Sequence, residues 1–171
     1  MGPFSSQVRP GPAQCRTMDI QLHPARPDDI AACVDLRGRT RENAVSAERL
    51  AALGITVASW SDQVRRGELI GHIAWQGEQM AGYAFGDVAS GEVVVLALLP
   101  AYEGQGLGRR LLQCLMADLR ARGHQRLFLG CASNPALRSP GFYRHLGWRP
   151  TGRQDRFGDE ELEFLFEPPA P

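Results

Sequence analysis

No run of roughly 18 consecutive apolar residues, the length a membrane-spanning helix needs, occurs in the sequence. The amino terminus also lacks a cationic segment followed by an apolar one, so no secretory signal is expected and the protein reads as cytoplasmic, with no membrane contact. An excess of charge of either sign is missing: Lys plus Arg total 19 and Asp plus Glu total 19. No overall field draws the chain to nucleic acid, and any anion-binding site has to be local. Cysteine is sparse. Cys15, Cys33, Cys114 and Cys131 form no CxxC pair and have no His or Cys nearby at metal-ligand spacing. That excludes the common zinc patterns, leaves reduced thiols, and gives no reason to expect a metal. Cys33 and Cys114 fall on apolar helix faces, where a thiol serves as a small hydrophobe.

What is present suits one domain: 171 residues with 43% apolar content can build a single core. Residues 1–17 are rich in Pro, Gly, Ser and Gln without periodicity and precede a second methionine, Met18. They read as a disordered extension, residues 18–167 as the domain, and residues 168–171 as a frayed tail.

A short strand is expected at IQLHPA, then a helix starting near Asp28 and Asp29 with Ile30, Cys33, Val34 and Leu36 on one face. Ser46 caps a second short helix through Leu53, and a third helical piece over 57–66 stops at Gly67. Three strands follow, Leu69–Trp75, Met80–Asp87 and Glu92–Leu99, with turn signals between them that set an antiparallel meander. The third, EVVVLALL, is apolar without alternation, as in a strand buried on both faces. Leu107, Leu111, Leu115 and Leu119 then recur every fourth residue opposite Arg109, Arg110, Asp118, Arg120 and Arg122, an amphipathic helix ended by Gly123. Arg126–Gly130 is a further strand, parallel to the one before the helix.

Between that apolar strand and the leucine helix lies PAYEGQGLGRRLL, with Gly104, Gly106 and Gly108 at alternate positions. The first N–H groups of such a helix are unpaired, converge on one spot and have the positive end of the helix dipole behind them. Glycines let a phosphate approach the backbone, and Arg109 and Arg110 add charge at the rim. A mononucleotide P-loop would need GxxxxGK[ST], which is absent. A dinucleotide fold would need GxGxxG after its first strand, whereas this is GxGxG after a meander.

The spacing that fits is the phosphate loop of the GNAT superfamily of acyl-CoA-dependent N-acetyltransferases, Gln/Arg-x-x-Gly-x-Gly/Ala between a central strand and a helix. Glu103 to Gly108 resembles that loop, LALLPAYEGQGLG resembles its lead-in, and FYRHLGWRPTG, Phe142 to Gly152, resembles a second family motif. The likeness covers residues 19–166 in element order. It implies an α/β (α+β) fold, a mixed sheet with an antiparallel amino-terminal meander, a central parallel strand pair that splays, and flanking helices. It implies acetyl-CoA as co-substrate and a primary amine of a small molecule or peptide as acceptor.

By that resemblance Gly104 and the amides of Gln105, Gly106, Leu107, Gly108 and Arg109 hold the CoA pyrophosphate. The backbone of Leu98 and Leu99 pairs with the pantetheine arm in the splay. Two positions depart from the family pattern. Glu103 stands where Gln or Arg is usual and, being anionic, is expected to point away from the pyrophosphate. Asn134 stands nine residues before Tyr143 rather than seven, so it is either a CoA contact or a loop cap, and Pro140 and Gly141 between them are poor helix-interior residues.

Acetyl transfer needs a neutral amine, a polarised carbonyl and a proton for the leaving thiolate. An alkyl amine of pKa near 10 is only about one part in a thousand neutral at pH 7, so a base or a water chain must take its proton. The resemblance implies Tyr143 as the acid and the Leu98 N–H as the group that polarises the carbonyl. Glu92 falls where some family members carry a catalytic glutamate; Asp87 and Glu68 are lesser candidates for the base. His72, His124 and His145 read as structural or solvated. Arg37, Arg39 and Arg41 could hold an acceptor carboxylate, whereas the acidic GDEELEFLFE could meet a cationic amine. Trp60, Trp75 and Trp148 include candidates for an exposed patch at a homodimer interface. The alternative functions are a non-catalytic acyl-CoA-binding regulatory domain of the same fold and, less compatible with GxGxG, a nucleotide-dependent oxidoreductase.

Overall fold

The structure, a computed structural model, describes residues 19–171 apart from Asn43 and Pro135. The reading of residues 1–17 as a disordered extension lies outside the described residues, as does Cys15.

Local chemistry sets the helices of the first half. After strand β1 (Gln21–Pro24), a 3-10 turn over Pro27–Asp29 leads into α1 (Ile30–Arg37). Asp29 does not cap α1; its carboxylate reaches back to accept the Arg26 N–H at 2.8 Å, the return half of a capping box. Ser46 accepts the Arg49 N–H at 3.2 Å and starts α2 (Ala47–Ala52). Thr56 and Ser59 form a capping box at the start of α3 (Val57–Arg65).

The meander forms as read: β2 (Leu69–Gln76), β3 (Gln79–Asp87) and β4 (Val93–Leu98) pair antiparallel, with β1 on the outer edge in the order β1-β2-β3-β4. A second sheet has the order β5-β7-β6, from β5 (Arg126–Cys131) and the closing hairpin β6 (Arg149–Gln154) and β7 (Glu160–Leu165). One parallel bridge, Glu92 to Phe128, joins the two sheets. Beyond it β4 and β5 separate, the splayed parallel pair of a GNAT-like mixed sheet.

The cause of the splay lies in β4. Phe85 pairs with Val95 but Gly86 pairs with Val93, so Val94 is an extra residue, a β-bulge. A bulge bends and over-twists its strand, and this one sits two residues past the last link to β5. Val94 is accordingly 37% exposed on a strand whose neighbours are largely covered.

Helix α4 (Leu107–Ala121) crosses one face of the sheets. Leu107, Leu111, Leu112, Leu115 and Leu119 are each no more than 2% exposed and pack with Leu127, Leu129, Trp148 and Leu162. Gly86 lets the helix sit close, since a Cβ there would come within 3.0 Å of Leu119 and 3.1 Å of Leu115. On the other face α1 and α3 bury Ile30, Leu36 and Trp60 against Ile73, Tyr83 and Phe85. Leu115→Ala would open a cavity at the centre of the first core and is expected to destabilise the fold by about 2–5 kcal/mol, read from chemical denaturation.

Two details differ from the sequence reading, and the cysteines agree with it. Pro140 does not disrupt the helix of the second motif: α5 (Ser139–His145) begins just before it, and proline in a first turn removes no hydrogen bond. The tryptophans form no exposed patch: Trp60 is 8% and Trp148 1% exposed, and Trp75 is half-buried against the α1 and α3 core. Cys33, Cys114 and Cys131 are free thiols, with Cys33 buried and Cys114 half-buried on their helices. No helix among the described residues is long and apolar enough to cross a membrane.

Candidate active site

The glycine loop takes the form its sequence requires. Gly104 and Gly106 have φ of +73° and +80°, a left-handed conformation that side-chain-bearing residues adopt only at a cost, and open space lies over both. Gly106 is the residue before α4 and has no side chain to cap it, and the first intrahelical bond is Arg110 N–H to Gly106 C=O at 3.1 Å. The amides of Leu107, Gly108 and Arg109 precede that bond and stand without intrahelical partners at the positive end of a 15-residue helix.

These amides border a cavity of about 540 Å³ at the open end of the splay. One wall is β4 at Leu96, Ala97 and Leu98; the opposite wall is α5 at Phe142 and Tyr143; Arg37 and Arg41 close it from the end of α1 and the loop after it. A second groove lined by Met116, Phe164 and Phe166 continues along α4 and shares Arg109, His145 and Leu146 with the cavity.

Strand geometry decides which β4 amides face this space. The Leu99 N–H donates to Ala81 C=O at 3.0 Å, toward β3. Successive N–H groups of a strand point to opposite edges, so those of Leu98 and Leu96 point into the splay. Leu99 is therefore displaced from the role expected of it: its amide is spent and its side chain is 8% exposed in the opposite core.

Tyr143 stands in the cavity wall, 9% exposed, with its ring against Phe142 and Trp148. Burial raises its phenol well above the ordinary 10.0, with Cys131 adding to the effect and Arg37 opposing it, so the group stays protonated through the neutral range. Glu92 does not line the cavity. It sits at the bridge to Phe128, where partial burial raises its carboxyl above the ordinary 4.5; Arg156 opposes the shift, and Asp87, Asp155 and Glu161 reinforce it. The lesser candidates are occupied elsewhere: Asp87 caps its turn through Ser90 N–H at 2.8 Å, and Glu68 pairs with Arg66 at 3.2 Å.

A model of the acetyltransferase (GNAT) family matches residues 30–148, from the first residue of α1 to Trp148 after α5. The chain belongs to the GNAT family of acetyltransferases. A mycothiol acetyltransferase of Beutenbergia cavernae is 38% identical over 72 residues, 42% of this chain and 24% of that protein. One from Catenulispora acidiphila is 40% identical over 60 residues, 30% of this chain and 19% of that protein. The chain thus spans about a quarter or less of the curated relatives it matches. In fold it is similar to a PaiA N-acetyltransferase from Thermoplasma acidophilum in complex with coenzyme A. The two share a TM-score of 0.72 and 15% identity over 87% of this chain and 100% of the other. It is also similar to the ribosomal-protein-S18-alanine N-acetyltransferase of Escherichia coli, with a TM-score of 0.65 and 21% identity over 89% and 97% of the two chains.

In this member of the GNAT family several expected site residues converge and others do not. Leu98, Gly104, Gly106, Leu107, Gly108, Arg109 and Tyr143 line one cavity. Gln105 does not line the cavity, and its side chain donates to Ala101 C=O at 3.1 Å. Asn134 is exposed and accepts the Ala136 N–H at 3.0 Å, the arrangement of a loop cap. Glu103 does not point away: it lines the cavity with its side chain 21% exposed and accepts from Arg41 at 2.9 Å and Arg138 at 2.8 Å. Arg138 in the cavity wall was not anticipated, and nothing in its local sequence marks it; His145, read as structural or solvated, also lines the cavity. His72 and His124 are structural as read, bonded at 2.7 Å to Asp118 and to Val88 C=O respectively.

Proposed function

We propose that the protein transfers the acetyl group of acetyl-CoA to a primary amine of a small molecule or peptide by direct attack in a ternary complex. The observation that carries this reading is one cavity bounded by the unpaired amides of α4, the splay-facing amides of β4 and the protonated Tyr143 phenol. The pyrophosphate fits at the amides of Gly106 to Arg109, the pantetheine arm lies beside Leu96 and Leu98, and the groove past Arg109 leaves room for the nucleotide end.

In the reaction the amine nitrogen attacks the thioester carbon, and a splay-facing β4 N–H supports the charge that develops on the carbonyl oxygen. As the C–S bond breaks, Tyr143 delivers its proton to the CoA thiolate. Glu92 takes the proton lost by the amine. Four residues of strand separate Glu92 from Leu96, about 13 Å at 3.3 Å per residue, so that proton travels through water rather than by direct contact.

The two sequence cues to the acceptor weigh differently in three dimensions. The acidic closing segment is internally neutralised: Glu160 pairs with Arg144, Glu161 with Arg126 and Arg153, and Glu163 with Arg126. Arg39 pairs with Asp35 and Arg41 with Glu103. The relatives named mycothiol acetyltransferase support a small-molecule acceptor, and the fold neighbour named for a ribosomal-protein alanine supports a peptide amino terminus.

A panel of amines of both classes, scored by thiol release from acetyl-CoA, tests the reading. Tyr143→Phe removes the proton donor but keeps the ring, and is expected to lower kcat by about 10²-fold at unchanged acetyl-CoA affinity. Equal kcat in the variant would return Tyr143 to a purely packing role.

A further inference from the structure

We propose that Arg41, Glu103 and Arg138 together form a preassembled clamp for the CoA phosphates, with Glu103 as the residue that positions the two arginines. This rests on the acetyl-CoA reading above. Position 103 is where the resembled loop carries Gln or Arg, and a lone carboxylate there would repel a pyrophosphate. It is not alone. Arg41 Nε and Arg138 Nη1 both donate to the same oxygen, Glu103 Oε2, at 2.9 and 2.8 Å. Arg41, Glu103 and Arg138 together carry a net charge of +1; in the same cavity lining Glu42 brings −1, and Arg37 and Arg109 bring +1 each.

The two arginine side chains are 56% and 60% exposed and Glu103 is 21% exposed, so what distinguishes the cluster from two separate surface ion pairs is the single carboxylate oxygen the arginines share and the cavity they border. All three side chains line the same cavity as Gly104, Gly106 and Arg109. The sequence contains no lysine, so every permanently cationic side chain is a guanidinium with five donors in a planar fork. Glu103 takes one donor from each arginine and leaves the rest of each fork for phosphate oxygens. It thereby fixes two long side chains in advance, removing part of the rotamer entropy that binding would otherwise cost. The two arginines arrive from opposite sides, Arg41 from the loop after α1 and Arg138 from the start of α5. A second tie holds those sides together, the Glu42 carboxylate accepting the Arg138 N–H at 3.1 Å.

Calorimetric titration with CoA, and separately with pantetheine, which lacks phosphates, tests the clamp on wild type, Glu103→Gln, Arg41→Ala, Arg138→Ala and the two arginine changes combined. Each single variant is expected to bind CoA about tenfold more weakly, the loss of one positioned guanidinium contact, and to bind pantetheine as wild type does. Glu103→Gln added to the double arginine variant is expected to cost nothing further, because nothing remains to position. Glu103→Gln that binds CoA as tightly as wild type or more tightly overturns the clamp, as does an equal loss toward pantetheine. Wild type that binds no CoA contradicts the acetyl-CoA reading itself, and the clamp falls with it.

Discussion

Gly106→Glu is expected to weaken acetyl-CoA binding by at least about 100-fold. Two effects add. The residue sits at φ +80°, where a side-chain-bearing L-residue costs about 1–2 kcal/mol, so the loop must distort or strain. The new carboxylate also projects from the residue whose neighbouring amides converge on the anion site, and at an effective dielectric near 20 one unit charge about 5 Å from another contributes about 3 kcal/mol of repulsion. Space over Gly106 is open, so the side chain folds without clashing and the defect appears in binding rather than in the core. Calorimetry with acetyl-CoA, with thermal denaturation as the control on folding, measures it. Binding within tenfold of wild type would remove the pyrophosphate from this loop.

Glu92→Gln has the second large effect, a fall in kcat of about 10²–10⁴-fold, the range general-base catalysis supplies. Its pH dependence is the more telling readout. The base works only when ionised, so the rate falls as pH drops through its pKa. Burial raises the Glu92 carboxyl above 4.5, which moves the acid limb of kcat/KM upward from the ordinary carboxylate range. In Glu92→Gln that limb disappears while the limb due to the amine remains. A variant with the wild-type limb would leave proton removal to solvent alone.

Much of the fold was legible because it rests on short-range rules. The glycine loop, the leucine stripe of α4, the Ser46 cap and the meander turns each announce themselves within a dozen residues. The bulge at Val94 does not, since a run of three valines carries no mark of which residue is extra. The orientation of Glu103 was misread for a similar reason. The charge rule that would send it away from a phosphate is sound for an isolated carboxylate, but Arg41 and Arg138 lie 62 and 35 residues off in sequence and reverse the local sign. Leu99 was one residue out of phase, and only the pairing with Ala81 tells which β4 amides are spent. Trp60 and Trp148 looked like surface candidates by residue type, whereas Trp60 is buried where α3 packs on Phe85 of β3 and Trp148 between Tyr143 of α5 and Phe164 of β7.

The most direct test of the account is thiol release from acetyl-CoA by the wild-type protein across the amine panel, with mass spectrometry of the amine. The account predicts that free CoA appears in step with an equal amount of singly acetylated amine, for at least one cationic primary amine, and that Tyr143→Phe slows both together. Acetyl-CoA that binds in the cavity yet releases no thiol above the spontaneous rate with any amine would contradict it, leaving a fold that holds the donor without using it.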